Sequence, residues 1–286
     1  MIQLFNTHRP LLFGIAYRML GRVSEAEDAV QEVWLRWSKQ DPATVQSPKA
    51  WLVAATTRLC IDQLRSARRQ REEYYGVWLP EPLMASPDAS PDASAELADS
   101  LTMAFMLMLE SLGPDERAVF LLREVFDYGY AEIAAVVGKT EANCRQIVRR
   151  AKLQLQATPQ KPSPPSAQAR RLVEEFLTAT NRGDVDGILA LLTEESRVYS
   201  DGGGRVKAAG RAIVGADHIS RFLLGIWPRY LAAMDRRLVD INGRPGLLMS
   251  SEGIIHYAFS FELAGDRVKG IYIVCNPDKL GHLGVR

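Results

Sequence analysis

Cysteine is nearly absent: 286 residues contain three, Cys60, Cys144 and Cys275. They are odd in number, far apart and without metal-ligand spacing, which excludes a disulfide framework and a metal cluster and predicts buried, reduced thiols. No run approaches the ~18 apolar residues of a membrane span. The opening MIQLFNTHRP also lacks the apolar stretch of a secretory signal. A soluble, cytoplasmic protein that makes no use of a membrane is expected. A nucleophile triad and a P-loop are missing too, so no catalytic residue, metal or cofactor is expected. Net charge is only +1, which as an average argues against nucleic acid.

The average conceals blocks. From Arg58 to Arg71 stand Arg58, Arg65, Arg68, Arg69 and Arg71 against Asp62 alone. From Lys139 to Lys152 stand Lys139, Arg145, Arg149, Arg150 and Lys152 against Glu141 alone. Between them, Val77 to Asp99 holds Glu81, Asp88, Asp92, Glu96 and Asp99 with no base. Two basic patches split by an acidic tether suit a two-point grip on a polyanion.

Two stretches read as linkers, PEPLMASPDASPDASAE and ATPQKPSPPSAQA, because prolines and small polar residues replace any periodicity. They divide the chain into 1–75, a linker 76–100, 101–157, a proline-rich linker 158–168, and 169–286. In the first piece, Ser24 with Glu27 three residues on reads as a capping box. The helix it opens places Ala26, Ala29, Val30, Val33, Trp34 and Trp37 on one stripe, with Asp28, Gln31, Glu32 and Arg36 on the other face. A second helix from about Pro48 packs through Trp51, Leu52, Ala55, Leu59 and Ile61 before it becomes an arginine-studded face. Such a face is often merely solvated, but five arginines on one helix favour phosphate.

The middle piece carries a sharper pattern. Gly113-Pro114-Asp115-Glu116 reads as a helix start, with proline first and acids in the opening turn. Ala134, Gly138 and Cys144 then have the spacing of a helix-turn-helix: a small residue where helices cross, a turn glycine, and an apolar residue seating the second helix. Thr140 caps that helix. With Cys144, Ile147, Val148, Ala151 and Leu155 inward, Ala142, Arg145, Gln146, Arg149 and Arg150 face out. An ordinary helical hairpin has the same inner face, but arginine and glutamine outside favour base edges and phosphates.

The last piece predicts helix through ARRLVEEFLTATNRGDVDGILALLTE and AIVGADHISRFLLGIW, then strands in RLVDING, GLLMSS, Gly253 to Leu263 and RVKGIYIVC. Along IIHYAFSFEL, Ile255, Tyr257, Phe259, Phe261 and Leu263 alternate with His256, Ala258, Ser260 and Glu262. Helices followed by an antiparallel sheet predict an α+β domain.

SEAEDAVQEVWLRW with WLVAATTRLCIDQLRSARRQR resembles region 2 of extracytoplasmic-function sigma factors of the sigma-70 family. LGPDERAVFLLREVFDYGYAEIAAVVGKTEANCRQIVRRAK resembles their region 4. The last piece is similar to a SnoaL-like domain, the α+β cone shared with nuclear transport factors and some polyketide cyclases. A subgroup of these sigma factors carries this extension with three short motifs. Here they stand as Trp78-Leu79-Pro80-Glu81-Pro82, Asp201-Gly202-Gly203-Gly204 and Asn276-Pro277-Asp278-Lys279-Leu280.

The resemblance implies two all-α domains plus the cone, with core RNA polymerase and promoter DNA as partners. Asp28, Gln31, Glu32 and Arg36 would dock on the polymerase. Arg58, Asp62, Arg65, Arg68 and Arg69 would read the −10 element. Lys139, Thr140, Arg145, Gln146, Arg149 and Arg150 would read the −35 element. The three short motifs would make regulatory contacts in cis, so that no separate anti-sigma protein is required; a small-molecule ligand of the cone stays open.

Two other readings compete. A cyclase or isomerase with a regulatory N-terminal half would draw on His256, Asp201, Asp217 or His218 as a proton shuttle. Against it, a lone histidine on a strand is more often structural, and Asp201 before glycines suits a turn. A one-component repressor sensing a ligand shares the helix-turn-helix but leaves the region-2-like block unexplained.

Overall fold

The computed structural model describes residues 1–41, 44–72, 74–84, 99–155 and 166–284, with side chains of 67–72 and 166 left aside. Most of the acidic tether, most of the proline-rich linker, and the side chains of Arg68, Arg69 and Arg71 lie outside the described residues. The chain divides into two compact units, Met1–Glu73 with Met106–Thr158, and Tyr74–Phe105 with Pro159–Arg286. Residues of both helical pieces fall in the first unit, and 74–105 fall with the C-terminal piece.

In the first unit, α1 (Ile2–Leu20), α2 (Val23–Trp37) and α3 (Pro48–Glu72) pack on one another. Leu12, Ile15, Tyr17, Ala26, Val33, Trp37 and Leu52 are almost wholly buried among them. Each large apolar side chain so enclosed contributes roughly 1.5–3 kcal/mol. α1 stops at Gly21, whose φ of 74° places it in the left-handed region. The expected cap of α2 is corrected: Arg22, not Ser24, precedes the first helical residue, and it makes no side-chain cap hydrogen bond. Val23 already belongs to the buried face, so the helix begins one residue before Ser24.

α4 (Met103–Leu109) leads into α5 (Pro114–Glu124), which starts on proline as expected; Gly113 N–H donates to Glu116 Oε2 at 3.1 Å. α6 (Tyr130–Val137) and α7 (Glu141–Leu155) form the helix-turn-helix, joined through Gly138 at φ 67°. α3 packs against both α5 and α6.

The second unit holds α8 (Ser166–Arg182), α9 (Val185–Leu191) and α10 (Ala216–Ile226) against a six-stranded sheet. Its strands are β1 (Leu192–Asp201), β2 (Ile213–Val214), β3 (Asp235–Ile241), β4 (Arg244–Ser251), β5 (Ile254–Ala264) and β6 (Arg267–Val274), in the order β2-β1-β6-β5-β4-β3. The α+β expectation holds, with four corrections, the first being that Ile213–Val214, expected to open a helix, form β2. The continuous helical pattern breaks at Gly183, φ 70°, where Asp184 caps α9 by accepting from Gly187 N–H. Its last three residues, 192–194, instead open β1. The sheet is mixed, because β1 pairs parallel with β6.

Strict alternation on β5 also gives way. Ala258 and Ser260, assigned to the outer face, are buried along with Phe259 and Phe261. The core gathers Val173, Phe176, Ile188, Leu223, Trp227, Met249, Phe259 and Ile271 between helices and sheet.

Candidate functional sites

The outer face of α7 is built by its inner one. Cys144, Ile147, Val148 and Ala151 are buried, which leaves Ala142, Arg145, Gln146, Arg149 and Arg150 in solvent. Asn143 N–H donates to Thr140 Oγ1 at 3.2 Å, the cap expected of Thr140. Arg145 pairs with Glu141 at 2.7 Å and lies 4.9 Å from the Tyr130 ring centroid. Lys139 is partly enclosed, 3.6 Å from Asp115. Among the described residues, Gln146, Arg149 and Arg150 have no polar side-chain partner, so their donors are available to another molecule.

On α2, Asp28, Gln31 and Arg36 are exposed and Glu32 half-buried, with Arg36 Nε 2.9 Å from Glu32. Trp37 is fully enclosed and tilts against Trp51 at 5.3 Å, whereas Trp34 is half-buried beside Phe5. The polar face is thus free because the apolar face is anchored.

Two of the α3 arginines, Arg58 and Arg65, meet partners within the first unit. Arg58 donates to the carbonyls of Val136 and Ala135, both at 2.8 Å. These oxygens end α6, where helical carbonyls lack intrahelical donors. Arg65 reaches both oxygens of Asp115, at 3.0 and 3.1 Å, and lies 3.6 Å from Asp62. Arg117, 3% exposed, returns the contact by donating to Met19 O at 2.6 Å while pairing with Glu110 at 2.8 Å. Arg18 sits 5.4 Å from the Phe126 ring, and burial pushes its guanidinium down to about 10. Two of the five residues expected at the −10 element are therefore engaged with the helix-turn-helix half. Sequence reading missed Arg117 because an arginine in an ordinary amphipathic helix reads as solvated.

In the second unit the three short motifs meet. Asp201, wholly buried at the end of β1, receives hydrogen bonds from Tyr74 Oη (2.6 Å), Leu79 N–H (2.8 Å), Gly203 N–H (3.0 Å) and Lys279 Nζ (2.7 Å). Lys279, 2% exposed, also donates to Leu79 O, and its ammonium lies 4.2 Å from the Trp78 ring centroid and 5.1 Å from that of Tyr74. Charge, hydrogen bonds and two aromatic faces together compensate an ammonium taken out of water.

The rest of the motifs shape this node. Leu79, Pro80, Glu81, Pro82, Gly202 and Leu280 are buried. A Cβ at Gly203 would meet the Asn276 amide at 2.2 Å, so only glycine fits there, at φ 59°. Gly204 is exposed. Asn276 accepts from Asp278 N–H to open a short 3-10 helix, Pro277–Lys279, and Asp278 lies 3.3 Å from Arg205. The grip extends to residues without a motif to mark them: His282 Nε2 is 2.7 Å from Pro82 O, and Asn242 exchanges hydrogen bonds with Leu83. Asp99 also pairs with Arg244.

The alternative proton shuttles are exposed or already engaged. His256 is exposed, Asp217 pairs with Arg221 at 2.9 Å, His218 Nδ1 lies 3.0 Å from Val214 O, and Asp201 is occupied as described. All three cysteines are buried and unpaired; burial pushes the Cys275 thiol up to about 12, so at neutral pH it is no nucleophile. Among the described residues no group of histidine, cysteine and carboxylate side chains could hold a metal ion, and no helix is long and apolar enough to cross a membrane.

The model of Sigma-70 region 2 matches residues 4–70, and that of Sigma-70, region 4 matches residues 102–155. The ECF RNA polymerase sigma factor SigJ of Mycobacterium tuberculosis is 35% identical, with 96% of this chain and 91% of that one aligned. A probable ECF RNA polymerase sigma factor SigI of the same species is 29% identical over 98% of this chain and 94% of its own. The crystal structure of the M. tuberculosis SigJ superposes with a TM-score of 0.79 at 32% identity, covering 98% of both chains. With both helical blocks matched in order and the likeness carried through the C-terminal domain, the chain belongs to the extracytoplasmic-function sigma factors of the sigma-70 family.

Proposed function

We propose that this sigma factor binds core RNA polymerase through Asp28, Gln31, Glu32 and Arg36 and directs it to promoters without catalytic activity of its own. Arg58, Asp62, Arg65, Arg68 and Arg69 serve the −10 element, and the α7 face from Lys139 to Arg150 serves the −35 element. The C-terminal domain holds the linker in cis, so a separate anti-sigma protein is not required. The observation that carries cis control is the buried Asp201–Lys279 pair, on which the linker and both C-terminal motifs converge. Against an enzymatic role stand the engagement of Asp201 by Lys279 and the enclosed, protonated thiol of Cys275. Transcription with purified core polymerase on a genomic promoter library tests the activity and identifies the elements; no sigma-dependent transcript would reject it.

Reversing Asp28 and Glu32 to lysine is expected to weaken core binding while moving the unfolding midpoint little, since exposed substitutions rarely cost more than ~0.5 kcal/mol. A fluorescence titration with unchanged affinity removes this face from the interface. Arg149→Ala is expected to lower promoter affinity by ~1–3 kcal/mol if it reads a base, selectively for the matched −35 sequence. A loss uniform across sequences, with a flatter salt dependence, reassigns it to phosphate. No loss on any template would reject the helix assignment.

A further inference from the structure

The C-terminal domain contains a cavity of about 720 Å³ between α10, the segment Val206–Ala209, β5 and β6. That volume lies within the range of small-molecule sites. Its lining sorts into two chemistries. Phe222, Tyr230 and Tyr257 give it an aromatic wall, while Lys207, Arg221 and Arg229 give it three cations. No carboxylate lines it among the described residues. Arg221 is answered by Asp217 at 2.9 Å, but Lys207 and Arg229 have no ion-pair partner among the described residues. Two unanswered cations beside an aromatic wall favour an anionic head on an apolar body.

The backbone supplies a separate observation. α10 does not end at Ile226 but continues as a π-helix, Trp227–Leu231, with Ala232 N–H donating to Trp227 O at 2.8 Å. Such turns are rare and recur at functional sites, because the wider turn re-aims side chains. Here it carries both Arg229 and Tyr230 on the cavity wall, while Trp227 stays in the core. Gly225, one turn earlier, also lines the cavity, and a Cβ there would meet nothing within 4 Å. The wall is left open where a side chain would otherwise fill it.

We propose that this cavity binds a small amphipathic carboxylate, its head held by Lys207 and Arg229 and its body stacked among Phe222, Tyr230 and Tyr257. The proposal does not depend on promoter recognition and is tested without it. Calorimetric titration of the full chain would use 2-naphthoate and decanoate as probes, with 2-naphthamide and decanamide as neutral matches. At least one acid is expected to bind one per chain, about tenfold or more tighter than its amide. The double variant Lys207→Gln, Arg229→Gln is expected to erase that preference; both positions are exposed, so the fold is kept. Gly225→Phe is expected to block acid and amide alike, with circular dichroism confirming a folded chain. Failure of both acids to bind overturns the proposal. So does equal affinity for acid and amide, or binding that survives both the double variant and Gly225→Phe.

Discussion

Lys279→Met is expected to cost the second unit about 3–5 kcal/mol, the range for breaking a buried ion pair by removing one partner. The pair is enclosed on both sides, with side-chain exposures of 2% and 0%. Methionine fills much of the same volume but leaves the Asp201 carboxylate with only Tyr74 Oη and the amides of Leu79 and Gly203 as donors. It also leaves Leu79 O without its donor and removes the cation from between two aromatic faces. Chemical denaturation of the full chain measures the loss, and an unchanged midpoint would show that the pair carries no weight. The partner variant Asp201→Asn separates charge from shape. If the ammonium and the carboxylate act as a couple, the double variant is expected to lose less than the two single losses combined. Because Leu79 is bonded to Asp201 through its amide and to Lys279 through its carbonyl, loss of the pair also frees the linker. Transcription by Lys279→Met holoenzyme is therefore expected to differ from wild type at temperatures where both remain folded. Equal transcription would leave the node structural and reject control in cis.

How far the sequence could reveal this depended on whether the signal was local. The helix-turn-helix was legible because Ala134, Gly138 and Cys144 report one supersecondary unit at fixed spacing, and the structure seats them so. β1 was not legible. LTEESRVYSD follows a helix without a breaker, and its register comes from parallel pairing with β6, some seventy residues on. Its polar Ser196 and Ser200 are buried because Val268 O and Ala209 N–H meet them, the first from 72 residues away. The motifs marked where the linker grip lies but not its chemistry. That Lys279 is buried rather than solvated follows from Tyr74 and Trp78 of the linker and Asp201 of β1 arriving from two distant segments. Tyr74 and His282 carried no signal, since each acts through a single side chain in unremarkable surroundings. The α3 arginines read as a donor-rich face, and two of them, Arg58 and Arg65, meet acceptors within the first unit. Arg58 finds the carbonyls that end α6, a set of fixed partial negative charges.

Arg117→Met is expected to loosen the packing of the two helical halves of the first unit and to tighten binding to core polymerase. Arg117 belongs to the helix-turn-helix half, yet its guanidinium donates to Met19 O at the end of α1 at 2.6 Å and pairs with Glu110 at 2.8 Å. Arg58 makes the reciprocal contact, from α3 to the end of α6. Each half thus caps a helix of the other with an arginine, and the arrangement engages Arg58 and Arg65 with partners inside the unit. If promoter binding needs those two arginines, the halves must first part, and the apparent affinity is reduced by the fraction of chains that are open. A hydrogen bond to a charged group contributes about 1.5–3 kcal/mol, so its loss shifts the balance about 10- to 150-fold toward the open form. Asp115→Ala, which removes only the half-exposed partner of Arg65 and Lys139, is expected to shift it less, by about 1 kcal/mol or under. Small-angle scattering of the free protein reads the opening as a larger radius of gyration, and titration with core polymerase reads its consequence. Opening without tighter binding would show that the packed state does not compete with the polymerase. No opening in Arg117→Met would show that apolar contacts of α3 with α5 and α6 hold the halves together without the arginines.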